Sequence, residues 1–299
     1  MSDTERNVHW ERMLPAEYRA AVAALPVVFL PLGTVEWHGE HNALGLDSLK
    51  AHALCVEAAR RAGGGVVHPP VYGGMGGLDK PATVVLEGEL AWENYLLRPL
   101  LEQMCYEFHR QGFRAIVIVT GHYGHNQQIV VREVGARMTE RLQIPVLGTP
   151  EYWLAHDEGY LGDHAGIGET SLLWHLHPDL VEIERIREDP EYGATPDIER
   201  GSSPELGRRY AECIISRLAT IARAMPGWDD AKREAFSRAE HALVRAQVKA
   251  WRTVGPWAAW GELIQQGLTR YGEFLASEQF DEIERMASRL APTREQAKQ

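Results

Sequence analysis

Carboxylates and imidazoles crowd one short stretch of this chain: Glu36, His38, Glu40 and His41, with Asp47 six residues further on. Glu36 and His38 are two apart, so on an extended segment both project to the same side. Gly39 and Gly45 allow turns that fold Asp47 back toward them. Carboxylate oxygen and imidazole nitrogen at this density are the donor set of a divalent cation. A single member such as His41 or Glu40 reads more readily as a loop group satisfied by its neighbours. The cluster as a whole, placed after an apolar strand, does not.

Two further motifs add to the donor set. Thr120-Gly121-His122-Tyr123-Gly124-His125-Asn126 also follows an apolar run and precedes a helix, and its glycines let His122 point across the top of a sheet. Asn126 is expected to cap the helix that follows. Asp163-His164-Ala165-Gly166-Ile167-Gly168-Glu169 leads into an apolar helix. Glu169 there could simply complement the helix dipole, but in this company it is a candidate ligand and catalytic group. His164 is the candidate general acid and base. Tyr123, His125 and Trp153 are expected to line a substrate pocket.

These motifs need strands to carry them. Short β-branched runs at 26–32, 65–71, 114–120 and 145–149 alternate with segments of helical period. That alternation predicts an α/β fold with a mainly parallel sheet flanked by helices and its chemistry at the strand ends. In the helix expected over 127–142, Val130, Val134, Met138 and Leu142 recur every four residues, with Arg132, Glu133, Arg137 and Glu140 on other faces. A helix at 169–177 is stopped by Pro178. The stretch 184–204, rich in charge, Pro, Gly and Ser, reads as an exposed excursion before a helix at 205–224. Residues 1–225 are expected to form the domain that carries the site. Residues 226–299 read as a helical C-terminal extension bearing Trp228, Trp251, Trp257 and Trp260, packed on the core or at a subunit interface, with a frayed tail from 292.

The bulk numbers exclude several function classes. In 299 residues, 31 Lys and Arg oppose 42 Asp and Glu, so the net charge is -11, which disfavours nucleic acid and anionic membranes as partners. No window approaches the ~18 uninterrupted apolar residues of a membrane span. Cys55, Cys105 and Cys213 lack CxxC spacing and are odd in number, so they read as small apolar residues in a cytoplasmic protein.

In this order and at these separations, the segments PLGTVEWHGEHNALGLD, TGHYGHN and DHAGIGETS resemble the three motifs of the creatininase family, over roughly residues 26 to 180. The resemblance implies a three-layer α/β/α fold with a dinuclear centre of zinc, manganese or iron. It also implies hydrolysis of amide-type carbon–nitrogen bonds, commonly in a homohexamer. By resemblance, Glu36, Asp47 and His122 hold one metal, and His38 with a bridging Asp47 the second. Gly124 stands where creatininases proper carry a ligating glutamate, which leaves Glu169 as the natural remaining ligand, with His125 as its substitute. The function expected is attack by metal-bound hydroxide on a small polar carbonyl substrate, a cyclic amide or formamide. Ring opening of a cyclic polyhydroxylated diketone is the alternative reaction, and a metal-dependent ligand-binding protein the non-enzymatic one.

Overall fold

A computed structural model of the chain describes residues 7–77, 82–88, 96–188, 196–255, 259 and 267–290. Its centre is a parallel sheet of β1 (Val27–Gly33), β2 (Val66–Val67), β3 (Val71–Tyr72), β4 (Ala115–Thr120) and β5 (Val146–Pro150), in the order β2-β1-β4-β5, with β3 also on β1. β1 is buried along its whole length, which its unbroken apolar run demands of a strand covered on both faces. β4 pairs with β1 from Val27 to Leu32, so β2 and β3 follow one another along the opposite edge. The single strand expected over 65–71 is therefore two. Pro69 and Pro70, which have no N–H to donate, separate them.

Alternation along the strands builds two apolar layers. Val27, Phe29, Val117 and Val119 face α2 (Leu46–Ala62), which is backed by α7 (Pro204–Ala224). Val28, Leu30, Ile116 and Ile118 face α3 (Leu97–Arg110) and Val130, Val134 and Met138 of α4 (His125–Leu142). Helix α1 (Pro15–Ala24) precedes the sheet, and α5 (Ile167–Leu176) packs on α7. Cys55 and Cys105 are buried free thiols and Cys213 is partly exposed.

Some expectations need correction. Asn126 does not cap α4: the helix begins at His125, so Asn126 already lies in its first turn. Arg132, on a face of α4 other than the one that packs on the sheet, is fully buried as well, because α8 (Asp230–Val254) covers that face. The excursion at 184–204 is only partly described. It contains a short helix, α6 (Pro196–Gly201), and Ile186 is buried, so it is not wholly exposed. Residues 189–195, Trp257, Trp260 and the tail from 292 lie outside the described residues.

After α8 come α9 (Tyr271–Ala276) and α10 (Phe280–Arg289). Trp228 is buried between Phe236 and Phe280, with ring centroids 5.3 and 5.1 Å away. A joint of buried polar groups ties these helices to the core. The Arg132 guanidinium pairs with Glu240 and lies over the Trp153 ring at 3.8 Å, while Tyr271 donates to Glu240 at 2.9 Å. Among the described residues, no helix is long and apolar enough to cross a membrane.

Candidate metal centre

The strand ends deliver the site. β1 runs into a loop whose Glu36 N–H donates to the Leu44 carbonyl, closing the turn that returns the chain to α2. Asp47 then sits in the first turn of α2. That turn is pressed against both strand ends: a Cβ on Gly33 would lie 2.4 Å from the Ser48 nitrogen, and one on Gly121 would lie 2.1 Å from the Asp47 carbonyl oxygen. Only glycine permits this approach. On the far side, both Asp163 oxygens accept from the first turn of α5, at Gly168 N and Glu169 N (2.7 and 2.9 Å). Between them Ala165 adopts the left-handed conformation (φ 52°), uncommon for a residue with a Cβ, and donates its N–H to Glu169 Oε2 at 2.8 Å.

Three imidazoles converge in the same way. Nδ1 of His38 donates to the Glu36 carbonyl (3.1 Å), Nε2 of His122 to the Met75 carbonyl (2.9 Å), and Nε2 of His164 to the Trp37 carbonyl (3.0 Å). A carbonyl can only accept, so each of these nitrogens carries a proton, and in the neutral ring the other nitrogen presents its lone pair to the cluster. Asp47 divides its oxygens between two of them, Oδ1 3.2 Å from His38 Nε2 and Oδ2 3.1 Å from His122 Nδ1. Glu36 Oε1 lies 2.8 Å from His122 Nδ1, and Glu169 Oε2 lies 3.7 Å from His38 Nε2. His164 Nδ1 is 3.7 Å from Glu36 Oε1. The donors fall into three groups compatible with a cation: Glu36, Asp47 and His122; His38, Asp47 and Glu169; and Glu36, His38 and His164.

Electrostatics and hydrogen bonding point the same way. Glu36, Asp47 and Glu169 are each about 1% exposed, a concentration of buried negative charge that needs positive charge near it. Burial alone would lower His38, but Asp47, Glu169 and Glu36 together raise it to about 9, and Glu36 and Asp47 hold His122 well above the usual imidazole range. Burial would raise Asp47, yet His38 and His122 push it down. His164 is lowered, by burial first and by His38 second. Among the described residues, His38 Nε2 and Asp47 Oδ1 are buried without a hydrogen-bond partner although they face each other. A divalent cation accepting both lone pairs satisfies them, so the residues present fit a metal.

The structure thus brings Glu36, His38, Asp47, His122, His164 and Glu169 together. His164, with 31% of its side chain exposed, opens toward solvent. Tyr123 is half-buried beside them. His125 is elsewhere: its ring meets Trp251 edge-on at 5.0 Å, and it joins none of the three groups. Trp153 is not a pocket wall. It is fully buried, and its ring is covered by Arg132 and Tyr271 in the joint with the C-terminal helices. His41 bonds Thr170 (3.1 Å) and Glu40 is exposed, so neither joins the donors despite its type.

Three buried residues escaped the sequence reading. Gln127 bridges Thr120 Oγ1 (2.8 Å) and the Met75 N–H (2.7 Å), holding the strand end and the carbonyl that orients His122. Lys50 and Glu151, both with fully buried side chains, form an ion pair at 3.2 Å behind Glu169. Burial pushes Glu151 up to about 7 against the pull of Lys50. Lys50 did leave a signal, a lysine among the apolar positions Leu46, Ala51 and Leu54 of one helix, three residues after Asp47. Glu151 follows a strand end, as Glu36 and His122 do.

Residues 11–229 match the sequence model of a family described as "Creatininase: Creatinine amidohydrolase". A creatinine amidohydrolase of Pseudomonas putida is 32% identical over 200 residues, covering 58% of this chain and 74% of that one. A mycofactocin precursor peptide peptidase of Mycobacterium ulcerans is 27% identical over 235 residues, covering 68% of this chain and 88% of that one. A solved creatininase variant of the Zn-Zn type superposes with a TM-score of 0.60 at 25% identity, covering 74% of this chain and all of that one.

Proposed function

This chain belongs to the creatininase family of hydrolases, and from that premise we propose that it cleaves an amide carbon–nitrogen bond in a small polar carbonyl substrate at a pair of divalent cations. Glu36, Asp47 and His122 hold one cation, and His38, Asp47 and Glu169 the other. The observation that carries the reading is the division of Asp47: each of its oxygens faces a different imidazole, and each imidazole is locked by a main-chain carbonyl. Bound there, divalent cations supply Lewis acidity that polarises a carbonyl and lowers the pKa of water.

The chain's own groups do the rest. His164, anchored through Nε2 to Trp37, presents Nδ1 at the open side of the cluster, where it can take a proton from water and return it to the leaving nitrogen. Its lowered pKa keeps it neutral near pH 7, the form a base requires. The half-buried Tyr123 ring, whose hydroxyl meets Lys50 and Glu151, contributes a wall of the substrate pocket.

We place the site-bearing unit at residues 1–225, with 226–299 as a helical extension, and the protein in the cytoplasm, a setting that suits its free thiols. Exposed Tyr72, Val84 and Leu86 near the site support a homo-oligomer. Light scattering giving a stable 33.6 kDa species at micromolar concentration would overturn the oligomer. For the reaction, metal-loaded protein is offered lactams, formamides, short peptides and keto-inositols. Consumption of an amide is the expected result. Consumption of a keto-inositol alone would move the attack to a ring ketone, and binding without turnover would make the protein a metal-dependent ligand binder.

A further inference from the structure

Lys50 stands out because a buried ammonium is expensive unless all its protons are used. Its three protons match three acceptors: Glu169 Oε1, Tyr123 Oη at 2.9 Å and Glu151 Oε1 at 3.2 Å. Tyr123 in turn donates to Glu151 Oε1 (2.6 Å) and has the Tyr160 hydroxyl at 2.6 Å, so the phenol is committed as well. The lysine stem passes over Gly121, where a Cβ would stand 3.1 Å from Lys50 Cε. This ammonium has no exposed surface with which to meet a substrate.

The consequence falls on Glu169. Lys50 occupies its Oε1, and the Ala165 N–H, held in place by the left-handed turn at Ala165, occupies one lone pair of its Oε2. The carboxylate cannot rotate without breaking one of these bonds. Its remaining Oε2 lone pair is thereby kept on the side of His38 and Asp47. Asp47 and Lys50 are three residues apart on α2, so one rigid helix supplies the shared carboxylate and also the group that orients the other carboxylate.

We infer that Lys50 is a positioning residue that fixes Glu169 as a ligand of the second cation, an inference that rests on the proposed role of Glu169. The test titrates Mn²⁺ and Zn²⁺ by calorimetry into full-length, chelator-treated protein, as wild type, Lys50→Met, Glu169→Gln and the double variant. Wild type should bind two equivalents. Lys50→Met should keep the first and weaken the second roughly 10- to 100-fold, the usual effect of losing a group that orients a ligand. Glu169→Gln should weaken the same equivalent, and the double variant should be no weaker than Glu169→Gln alone. Lys50→Met with two wild-type affinities, or losses that add in the double variant, overturns the role of Lys50. Glu169→Gln with two wild-type affinities, or a wild-type chain binding one equivalent, overturns the underlying reading instead. Each metal-free variant is checked by circular dichroism and thermal melting. Should Lys50→Met not fold, Lys50→Met/Glu151→Gln, which removes one charge of each sign, is compared with Glu151→Gln in the same titration.

Discussion

Two clusters of buried charge, one where α8 covers α4 and one at the strand ends, are built on different principles. In the joint with the C-terminal helices, one guanidinium, Arg132, meets one carboxylate, Glu240, with Trp153 and Tyr271 packed around them. At the strand ends, three carboxylates face three imidazoles, and His38 Nε2 and Asp47 Oδ1 are left without hydrogen-bond partners. The first cluster balances one charge of each sign under aromatic rings, although Arg132 Nε and Nη2 and Trp153 Nε1 are left without hydrogen-bond partners. The second is an array of carboxylate and imidazole donors converging on common points, the set a divalent cation takes. Burial, charge and unpartnered polar atoms occur in both clusters and are poor markers of function by themselves, and the convergence of ligand-type donors is the better one.

The comparison can be broken most severely at Asp47. Asp47→Ala should lose both cations, measured by elemental analysis, and activity should fall to background. Retention of one tightly bound cation would make Asp47 peripheral. At the other cluster, Arg132→Met leaves Glu240 buried and unpaired, and should lower stability in urea by about 3–5 kcal/mol while folded protein keeps its full metal content. Adding Glu240→Leu should recover most of that loss, since apolar groups of similar volume replace buried pairs well. Metal loss from folded Arg132→Met would show that the two clusters are not separate.

His164→Ala sharpens the division within the site. Turnover should drop by roughly 100-fold, or about 2.7 kcal/mol of barrier, with both cations retained. If the metal leaves instead, His164 is a ligand. The smallest effect concerns loading. With free metal at ten times its Kd, each cation adds about 1.4 kcal/mol, and in a chain of this size chelation should lower Tm by about 2 °C per cation.

Loading should also release protons at pH 7. His38, raised to about 9 in the metal-free protein, and His122, also raised, must lose a proton before they can ligate. Affinity should therefore weaken as pH falls further below 9. Titrations in buffers of different ionisation enthalpy read the proton count directly, and zero release would contradict the assignment of both histidines.

By itself the sequence determined what depends on local pattern. The apolar runs ending in Gly33 and Thr120 identify strands, and the ligand-type residues just beyond them identify where chemistry belongs, because side-chain period and turn residues act over a few positions. The even spacing of Glu36 and His38 and the turn that returns Asp47 are of this kind.

What only the tertiary structure decided depends on which distant segments meet. His41 and His122 are equal in type, yet one bonds Thr170 and the other faces Glu36, because the loop from β1 is sewn to the segment around Glu182. Trp153, read as a pocket wall, and Arg132, read as lying off the sheet-packing face of α4, become a buried pair because α8 closes over α4. Lys50 is legible in sequence only as an oddity on an apolar helix face. Its partners, Glu151 and Glu169, lie roughly a hundred residues away and reach it only when the chain just after β5 and the first turn of α5 fold back onto α2. Burial creates both the need for those partners and their strength, and burial is a property of the folded whole.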